Sequence, residues 1–287
     1  MEKILLCTDG SDFAKVSYLY AAWFGDRLKA AIDILHVSDA RGRAAAEARN
    51  FTGRIGLGTA ETLLQELIDL EHQKAKLDHQ RAKIILQEAQ QILKEQGIDQ
   101  LKALHETGFL LDCVQALAAQ TDLIVLGKRG ETANFAAPHL GANTERLIRS
   151  VRVPCVVTPK AFQPIERVLI AYDDSPSCRR LLEFLSTADG FHGLAFHLLT
   201  VAQERDQTAA DPRLENAKRQ LEAVPVSVTY HLGQGDPEKA IAEYIQTQNI
   251  HLLMMGAHGY RRIRQLLIGS TTLQVLRSSQ IPVFVFR

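Results

Sequence analysis

The 287-residue chain has little of several features that mark particular protein classes. It contains 1 Trp and 4 Cys, and its 33 Lys and Arg residues balance 33 Asp and Glu residues. Zero net charge argues against nucleic acid or anionic membranes as partners, because proteins that bind them usually carry a basic excess. No stretch approaches the roughly 18 uninterrupted apolar residues of a spanning helix. The amino-terminal stretch has too few apolar residues for a secretory leader. We therefore expect a cytoplasmic protein with no nucleic-acid or membrane partner.

The cysteines lie far apart along the chain, and no two of them form a C-x-x-C pair. Cys7 and Cys155 fall within apolar, strand-like runs. This pattern favours buried, reduced thiols over a disulfide framework or a zinc site.

The 10 histidines are scattered as well. His72 and His79 are seven positions apart on one expected helix, without a third ligand nearby in the sequence. Structural zinc sites need about four such ligands, so no metal site is predicted. His36 and His105 lie near expected strand ends, where a hydrogen-bonded structural role is the default.

Comparison of the chain with itself reveals a repeat. Residues 3–37 align without a gap on residues 167–201, which places Asp9 on Asp173 and Ser11 on Ser175. A second match aligns the segment that ends at Gly130 with the segment that ends at Gly259. The repeat predicts two domains, residues 1–160 and 161–287.

Each half alternates short apolar runs with helical patterns, which predicts β-α-β units and parallel strands. Because the strand-like runs are apolar at every position, helices should cover both faces of the sheet. The expected fold is α/β, with two tandem doubly wound parallel sheets of five strands each, Rossmann-like or flavodoxin-like in type. Strands are expected near residues 3–8, 31–37, 98–106, 122–127, 153–158, 167–172, 194–202, 225–232, 250–256 and 281–286.

The first half contains a helical insertion at about residues 38–75, and a long helical pattern runs from Glu61 to Gln96. A helix of that length would project beyond the sheet. One interpretation is a longer crossover helix with a solvated face. The other is an arm for a protein partner or for a homodimer.

The strongest chemical feature begins at Gly256, where an expected strand ends. The chain continues through Gly259 to Gly269 and Ser270, where a helix is expected to open. Glycines at such positions let backbone N–H groups turn toward a ligand, and a hydroxyl at a helix start can bind phosphate oxygens. Residues 257–269 contain three arginines and no acid. Taken alone, this segment could also be an ordinary glycine-containing connection.

The combination resembles the universal stress protein family, whose nucleotide loop reads Gly-x2-Gly-x9-Gly-[Ser/Thr]. Gly256, Gly259, Gly269 and Ser270 match that spacing in full. The resemblance extends to the Asp-x-Ser opening at Asp173 and to the terminal x-Pro-Val-x-Val strand, so it covers both halves. It implies a tandem bacterial member in which one chain supplies both halves of the usual dimer.

The resemblance implies an adenine-nucleotide-binding protein with ATP at the carboxyl ends of its strands, where open parallel sheets generally bind ligands. The resemblance also allows a Mg²⁺ ion bound through the phosphate oxygens. His258 is interpreted either as a phosphate contact or as a solvent-exposed side chain. The implied binding residues are Asp173 beside the adenosine, Val201 at the adenine, Gly256 near the ribose, and Gly259, Gly269, Ser270 and Thr271 at the phosphates. Without the loop, Asp173 would be interpreted as a helix-capping carboxylate and Val201 as a core residue.

The first half departs from this pattern, because its loop is one residue longer and Ala142 replaces the hydroxyl of Ser270. Losing one hydrogen bond weakens binding by roughly 0.5–1.5 kcal/mol. Asn143, Thr144, Lys128 and Arg129 could partly compensate. A weaker, altered or empty site is therefore expected in this half, formed by Asp9, Val37, Gly127, Gly130, Gly141, Ala142 and Asn143.

The expected function is that of an ATP-binding stress-response or signalling protein, with slow hydrolysis or none. The chain has no Gly-x-Ser-x-Gly elbow and no Gly-x4-Gly-Lys-[Ser/Thr] loop. Asp173, Asp174 and Asp236 are the plausible carboxylates, and none has an identifiable partner, so we predict no catalytic residue and no enzyme. The alternatives are a nucleotide-dependent enzyme, either an ATPase or an adenylyl transferase, and a ligand-independent interaction module that uses the helical arm.

Overall fold

The computed structural model describes residues 1–39, 57–130, 140–202, 207–221, 227–257 and 268–287. Within these ranges each half contributes five strands, close to the predicted positions. The strands are β1 (Lys3–Thr8), β2 (Ala31–Asp39), β3 (Leu101–Gly108), β4 (Leu123–Gly127), β5 (Cys155–Thr158), β6 (Arg167–Ala171), β7 (Ala195–Ala202), β8 (Val228–Gln234), β9 (Leu252–Gly256) and β10 (Val283–Phe286).

Helices connect the strands as β-α-β units require. They are α1 (Asp12–Leu28), α2 (Leu57–Glu95), α3 (Leu110–Leu117), α4 (Ala142–Ser150), α5 (Pro176–Thr187), α6 (Gln207–Leu221), α7 (Pro237–Thr247) and α8 (Ser270–Ser278). The α1 and α5 helices begin where predicted, since Ser11 accepts the N–H of Ala14 and Ser175 accepts the N–H of Cys178. The long helical pattern of the first half is α2, whereas residues 40–56 of the predicted insertion lie outside the described residues.

The two predicted five-stranded sheets are halves of one ten-stranded sheet, in the order β3-β2-β1-β4-β5-β10-β9-β6-β7-β8. Strands pair in parallel within each half, and β5 pairs antiparallel with β10 at the seam between the halves. Strand direction therefore reverses at the seam. The carboxyl ends of β1 and β4 lie at one edge of the sheet, and those of β6 and β9 lie at the opposite edge.

Two hydrophobic layers cover the sheet, one on each face, and both run through the two halves. Ile4 and Leu6 of β1 point into one layer together with Phe284 of β10, whereas Leu5 and Val283 point into the other. This alternation follows from the period of two along a strand. Both layers are apolar because helices cover both faces, as the continuous apolar runs predicted.

The predicted thiols Cys7 and Cys155 are buried in this core, and all 4 cysteines are free. Burial raises the pKa of the Cys155 thiol to about 12. The thiol therefore stays protonated at neutral pH. Among the described residues, no helix is both long enough and apolar enough to cross a membrane.

Candidate nucleotide site

The second-half site is built where β6 and β9 end. Asp173 lies just after β6, and its Oδ1 atom accepts the backbone N–H of Ser175 at 3.0 Å. Gly256 ends β9 against the first turn of α5, because a Cβ atom added to Gly256 would lie 3.1 Å from both Ser175 Oγ and Cys178 Sγ. The structure thus brings the predicted residues Asp173 and Gly256 to the same edge of the sheet, around Ser175.

Backbone hydrogen bonds hold the start of α8 beside the end of β9. The N–H of Gly269 donates to Ala257 O at 2.9 Å, and the N–H of Ala257 donates to Phe286 O at 2.8 Å. The hydroxyl of Thr272 donates to Gly256 O at 3.1 Å. The predicted residues Gly256 and Gly269 are therefore fixed close together by the fold itself.

The helix start at α8 has the features of an anion site. Gly269 is the N-cap residue, not Ser270, and it makes no side-chain capping bond. Ser270 is exposed and Thr271 is partly exposed on the first turn. An uncapped first turn leaves backbone N–H groups unsatisfied at the positive end of the helix dipole, which favours phosphate. His258 and Gly259 lie outside the described residues.

Val201 lies at the penultimate position of β7, next to β6 in the sheet, and pairs with Gly233 of β8. Its side chain is half-buried and packs at the margin of a hydrophobic layer. The position at the carboxyl edge agrees with the predicted place of an adenine contact, and the packing agrees with the alternative of a core residue.

The first-half site repeats the same backbone arrangement. Asp9 Oδ1 accepts the N–H of Ser11 at 3.0 Å, and a Cβ atom added to Gly130 would lie 2.6 Å from Asp9 Oδ2. The N–H of Gly141 donates to Lys128 O at 2.9 Å, and Thr144 Oγ1 donates to Gly127 O at 3.1 Å. These bonds match those at Gly269 and Thr272 in the other half. At these positions the two halves therefore share one backbone arrangement.

The remaining first-half residues lie at the same edge. Ala142 and Asn143 are exposed on the first turn of α4, and Gly141 makes no side-chain capping bond there. Val37 lies near the end of β2 and pairs with Glu106. No hydroxyl stands at position 142, as the sequence already indicated.

A sequence profile described as "Universal stress protein family" matches residues 1–159 and 164–287. The chain belongs to the universal stress protein family. It is 51% identical to the universal stress protein Slr1230 of Synechocystis sp. over 287 residues, which is 100% of both chains. The two matched ranges confirm the tandem arrangement, whereas the boundary between residues 160 and 161 stays a prediction.

Solved structures support the same fold. A universal stress protein from Archaeoglobus fulgidus DSM 4304 aligns with a TM-score of 0.71 and 24% identity, covering 99% of this chain and 98% of that one. The protein PA1789 from Pseudomonas aeruginosa PAO1 aligns with a TM-score of 0.62 and 16% identity, covering 100% of this chain and 92% of that one. At these identities the likeness concerns the fold alone.

Lys128 has a role in this universal stress protein that sequence reasoning missed. Its Nζ atom donates to Arg277 O at 2.6 Å and to Ser279 O at 2.9 Å, both at the end of α8 in the other half. Burial, together with the charge of Arg129, lowers the pKa of Lys128 to about 8. The expectation that Lys128 compensates at the first-half phosphates is wrong, because its side chain is committed to the contact between the halves. In the internal repeat Lys128 aligns with Ala257, and this change from alanine to lysine is the sequence signal that could have indicated a separate role.

Asp174 is the second feature that sequence reasoning assigned incompletely. It adopts a left-handed conformation with φ of 61°, where the first half has Gly10 with φ of 79°. Its carboxylate accepts bonds from Tyr172, Arg179 and Asn216. Burial opposes ionisation, but these bonds outweigh it and hold the pKa of Asp174 below its ordinary value. The sequence could not identify these three partners of Asp174, and their bonds give its carboxylate a structural role.

The predicted structural roles of two histidines are confirmed. His36 Nδ1 lies 2.9 Å from Thr8 O, and His105 Nε2 lies 2.9 Å from Ser38 Oγ. The His79 ring of α2 lies 5.3 Å from that of His105. Within the described ranges, no group of three His, Cys, Asp or Glu side chains is placed to hold a metal ion.

Proposed function

We propose that this universal stress protein binds ATP, mainly in its second half, and that the bound nucleotide acts as a stress or signalling ligand rather than as a substrate that is turned over. The observation that carries the proposal is that three features lie together at one edge of the sheet. They are Asp173, Gly256 at the end of β9, and the uncapped start of α8. Parallel α/β sheets bind their ligands at this edge.

The phosphates would lie on the first turn of α8. The hydroxyls of Ser270 and Thr271 and the backbone N–H groups of that turn supply donors, and the helix dipole favours a negative ligand. Three arginines and no acid in the sequence of residues 257–269 add positive charge to the same connection. A triphosphate fits this chemistry better than a neutral ligand does.

A bound Mg²⁺ ion would be held through the phosphate oxygens. The described residues contain no group of three acidic or histidine ligands for an all-protein metal cage. Magnesium commonly keeps several waters and binds nucleotide phosphates with few protein ligands. The residues that are present therefore fit a metal that arrives with the nucleotide.

Slow hydrolysis, or none, is part of this proposal, and the surroundings of Asp173 and Asp174 support it. Asp173 accepts a backbone bond from Ser175, and the carboxylate of Asp174 is occupied by Arg179. Neither is assigned to activate an attacking water, which is the role that a general base must fill. We therefore assign ATP binding and no catalytic residue.

The test is to denature purified protein and identify the released nucleotide by chromatography. We expect about one equivalent of ATP per chain. Ser270→Trp should abolish retention by filling the phosphate position, whereas the matched first-half variant Ala142→Trp should leave most of it. Added ATP-Mg at 100 times its Kd should stabilise nucleotide-free protein by about 2.7 kcal/mol. Absence of nucleotide together with no thermal shift at millimolar ATP-Mg contradicts the proposal, and rapid release of ADP or pyrophosphate favours an enzyme.

A further inference from the structure

The amino-terminal part of α2 extends past the body of the protein. A Cβ atom added to Gly10, just after β1, would meet Ile85 at 2.8 Å, so Ile85 is level with the carboxyl end of that strand. From Ala82 onward, α2 buries Ile85, Leu86, Ala89 and Leu93 in the core. Between residues 65 and 81 every described side chain is exposed or half-exposed. We call residues 65–84 the arm.

The arm carries an apolar stripe that nothing in the described structure covers. Leu70, Leu77 and Ile84 are 60%, 64% and 65% exposed, and they recur every seven residues. Residues seven apart lie on the same side of a helix after two turns. Ile84 directly precedes the buried Ile85, so the stripe points away from the domain while the neighbouring face packs against it.

Charge is segregated along the arm. Acidic side chains occupy its beginning and basic side chains dominate its remainder. The acids are Glu66, Asp69 and Glu71, and the bases are Lys74, Lys76, Arg81 and Lys83, with Asp78 among them. A parallel second arm would place acid beside acid and base beside base, whereas an antiparallel one would lay the acidic beginning of one arm along the mostly basic remainder of the other. Like charges across a helix pair disfavour pairing, and opposite charges set its orientation.

We propose that α2 pairs with α2 of a second copy of this chain, in an antiparallel two-helix contact centred on Leu70 and Leu77. A two-fold axis beside Gln73 sets Leu70 of one arm opposite Leu77 of the other. The same axis sets Asp69 beside Lys76 of the second copy, twice per dimer. The surface is self-complementary, as a two-fold contact requires.

Pairing also explains why a helix of this length is built where no core supports it. Isolated helices shorter than about 12–15 residues are marginal in water, and most helical stability in proteins comes from packing an apolar face. The exposed stripe would supply that packing only when a second arm covers it. The β5 to β10 seam is already closed within one chain, so this contact is separate from the contact between the two halves.

The first experiment measures the mass of the full chain in solution. Light scattering at a protein concentration of about 100 μM should give twice the chain mass of 31.9 kDa. Leu70→Glu combined with Leu77→Glu should halve the measured mass, since both positions are exposed and the domain core is untouched. Ile68→Glu is the matched control, because Ile68 is 46% exposed on a different side of α2 and should leave the dimer intact. A wild-type monomer, or a dimer that survives the double change, overturns the proposal.

Two further measurements fix the orientation. Asp69→Lys should weaken the dimer, and Asp69→Lys combined with Lys76→Asp should restore it. In a Cys113→Ser background, oxidation should cross-link Gln73→Cys chains to each other, because these positions meet at the two-fold axis. Ile84→Cys chains should not cross-link, because antiparallel pairing holds them far apart. Cross-linking through position 84 but not through position 73 overturns antiparallel pairing, as does failure of the charge exchange to restore the dimer.

Discussion

The side-chain ammonium group of Lys128 lies 2.6 Å from the carbonyl oxygen of Arg277. The two residues belong to different halves of the chain. Arg277 is in the last turn of α8, where carbonyl groups lack partners within the helix and carry the negative end of its dipole. Lys128, which follows Gly127 at the end of β4, is thus bonded to the carboxyl end of α8. The amino-terminal end of the same helix forms part of the second-half candidate site.

Replacing Lys128 with Met should remove this contact between the halves. The carbonyls of Arg277 and Ser279 would lose their donor while staying partly buried, which should lower the free energy of unfolding by roughly 1–3 kcal/mol. Denaturant titration at pH 7 measures the change. Lys102→Met is the control, because Lys102 is exposed on β3 and should change stability little. Equal stability of wild type and Lys128→Met would show that the contact contributes nothing.

Gly190→Ala should destabilise the fold at a second contact between the halves. The added methyl group would overlap the backbone carbonyl of Arg27, whose side chain also donates to Gly190 O at 2.9 Å. Backbone cannot move aside as a flexible side chain can, so we expect a loss of about 1–3 kcal/mol or more. Gly141→Ala is the comparison, since its methyl group would meet its nearest neighbours at 3.4 Å, an ordinary contact. Thermal unfolding of both variants distinguishes them, and equal losses would refute the steric argument.

Stability should fall as the pH drops below about 6.5, the ordinary histidine value. Burial, followed by the charges of His36 and His79, lowers the pKa of His105, and burial together with Arg167 lowers that of His197. The native state therefore binds fewer protons than the unfolded state, and this stabilisation is lost as the pH falls toward the folded-state pKa values.

Unfolding free energies measured between pH 7.5 and pH 5.5 check this expectation. The double change His105→Gln and His197→Gln should flatten the profile in that window. Glu145 and Asp174 do not interfere, because their pKa values lie below the ordinary carboxyl range and they titrate at lower pH. Stability that rises on acidification, or an unchanged profile in the double variant, would contradict the assignment.

Ala142→Ser should strengthen nucleotide binding in the first half. The backbone around Gly141 matches that around Gly269, so the new hydroxyl would stand where Ser270 stands in the other half. A gain of 0.5–1.5 kcal/mol corresponds to about 2- to 12-fold tighter binding. Calorimetry in a Ser270→Trp background isolates the first half. Ala142→Val adds bulk without a donor and should give no gain, and an equal gain in both variants would argue against a hydrogen bond.

Local patterns in the sequence predicted the strands and helix starts, because these depend on neighbouring residues. The apolar run of β1 predicts a strand covered on both faces, and Ser11 and Ser175 cap their helices as their positions indicate. The repeat also places Asp9 and Asp173 in the same turn after β1 and β6. These features required no knowledge of contacts distant in the sequence.

Contacts distant in the sequence could not be predicted in the same way. Lys128 follows a glycine in a loop-like segment, and nothing nearby in the sequence indicates that its partner is Arg277. The closure of the two halves into one sheet depends on the pairing of Val157 with Val283, two ordinary strand residues. Asp174 likewise has no evident partner in the sequence, because Asn216, which donates to its carboxylate, lies far away along the chain.

Because β5 and β10 pair antiparallel, the carboxyl ends of the strands of the two halves lie at opposite edges of the sheet, and these two ends of the molecule differ. One end carries the arm and the loop that lacks a hydroxyl at Ala142. The opposite end carries Gly269 and Ser270, which close the complete glycine spacing of the sequence. Two copies joined by their arms would therefore turn their Gly269 ends outward, away from each other. A partner that recognises the Gly269 end could then approach from either side without touching the dimer contact.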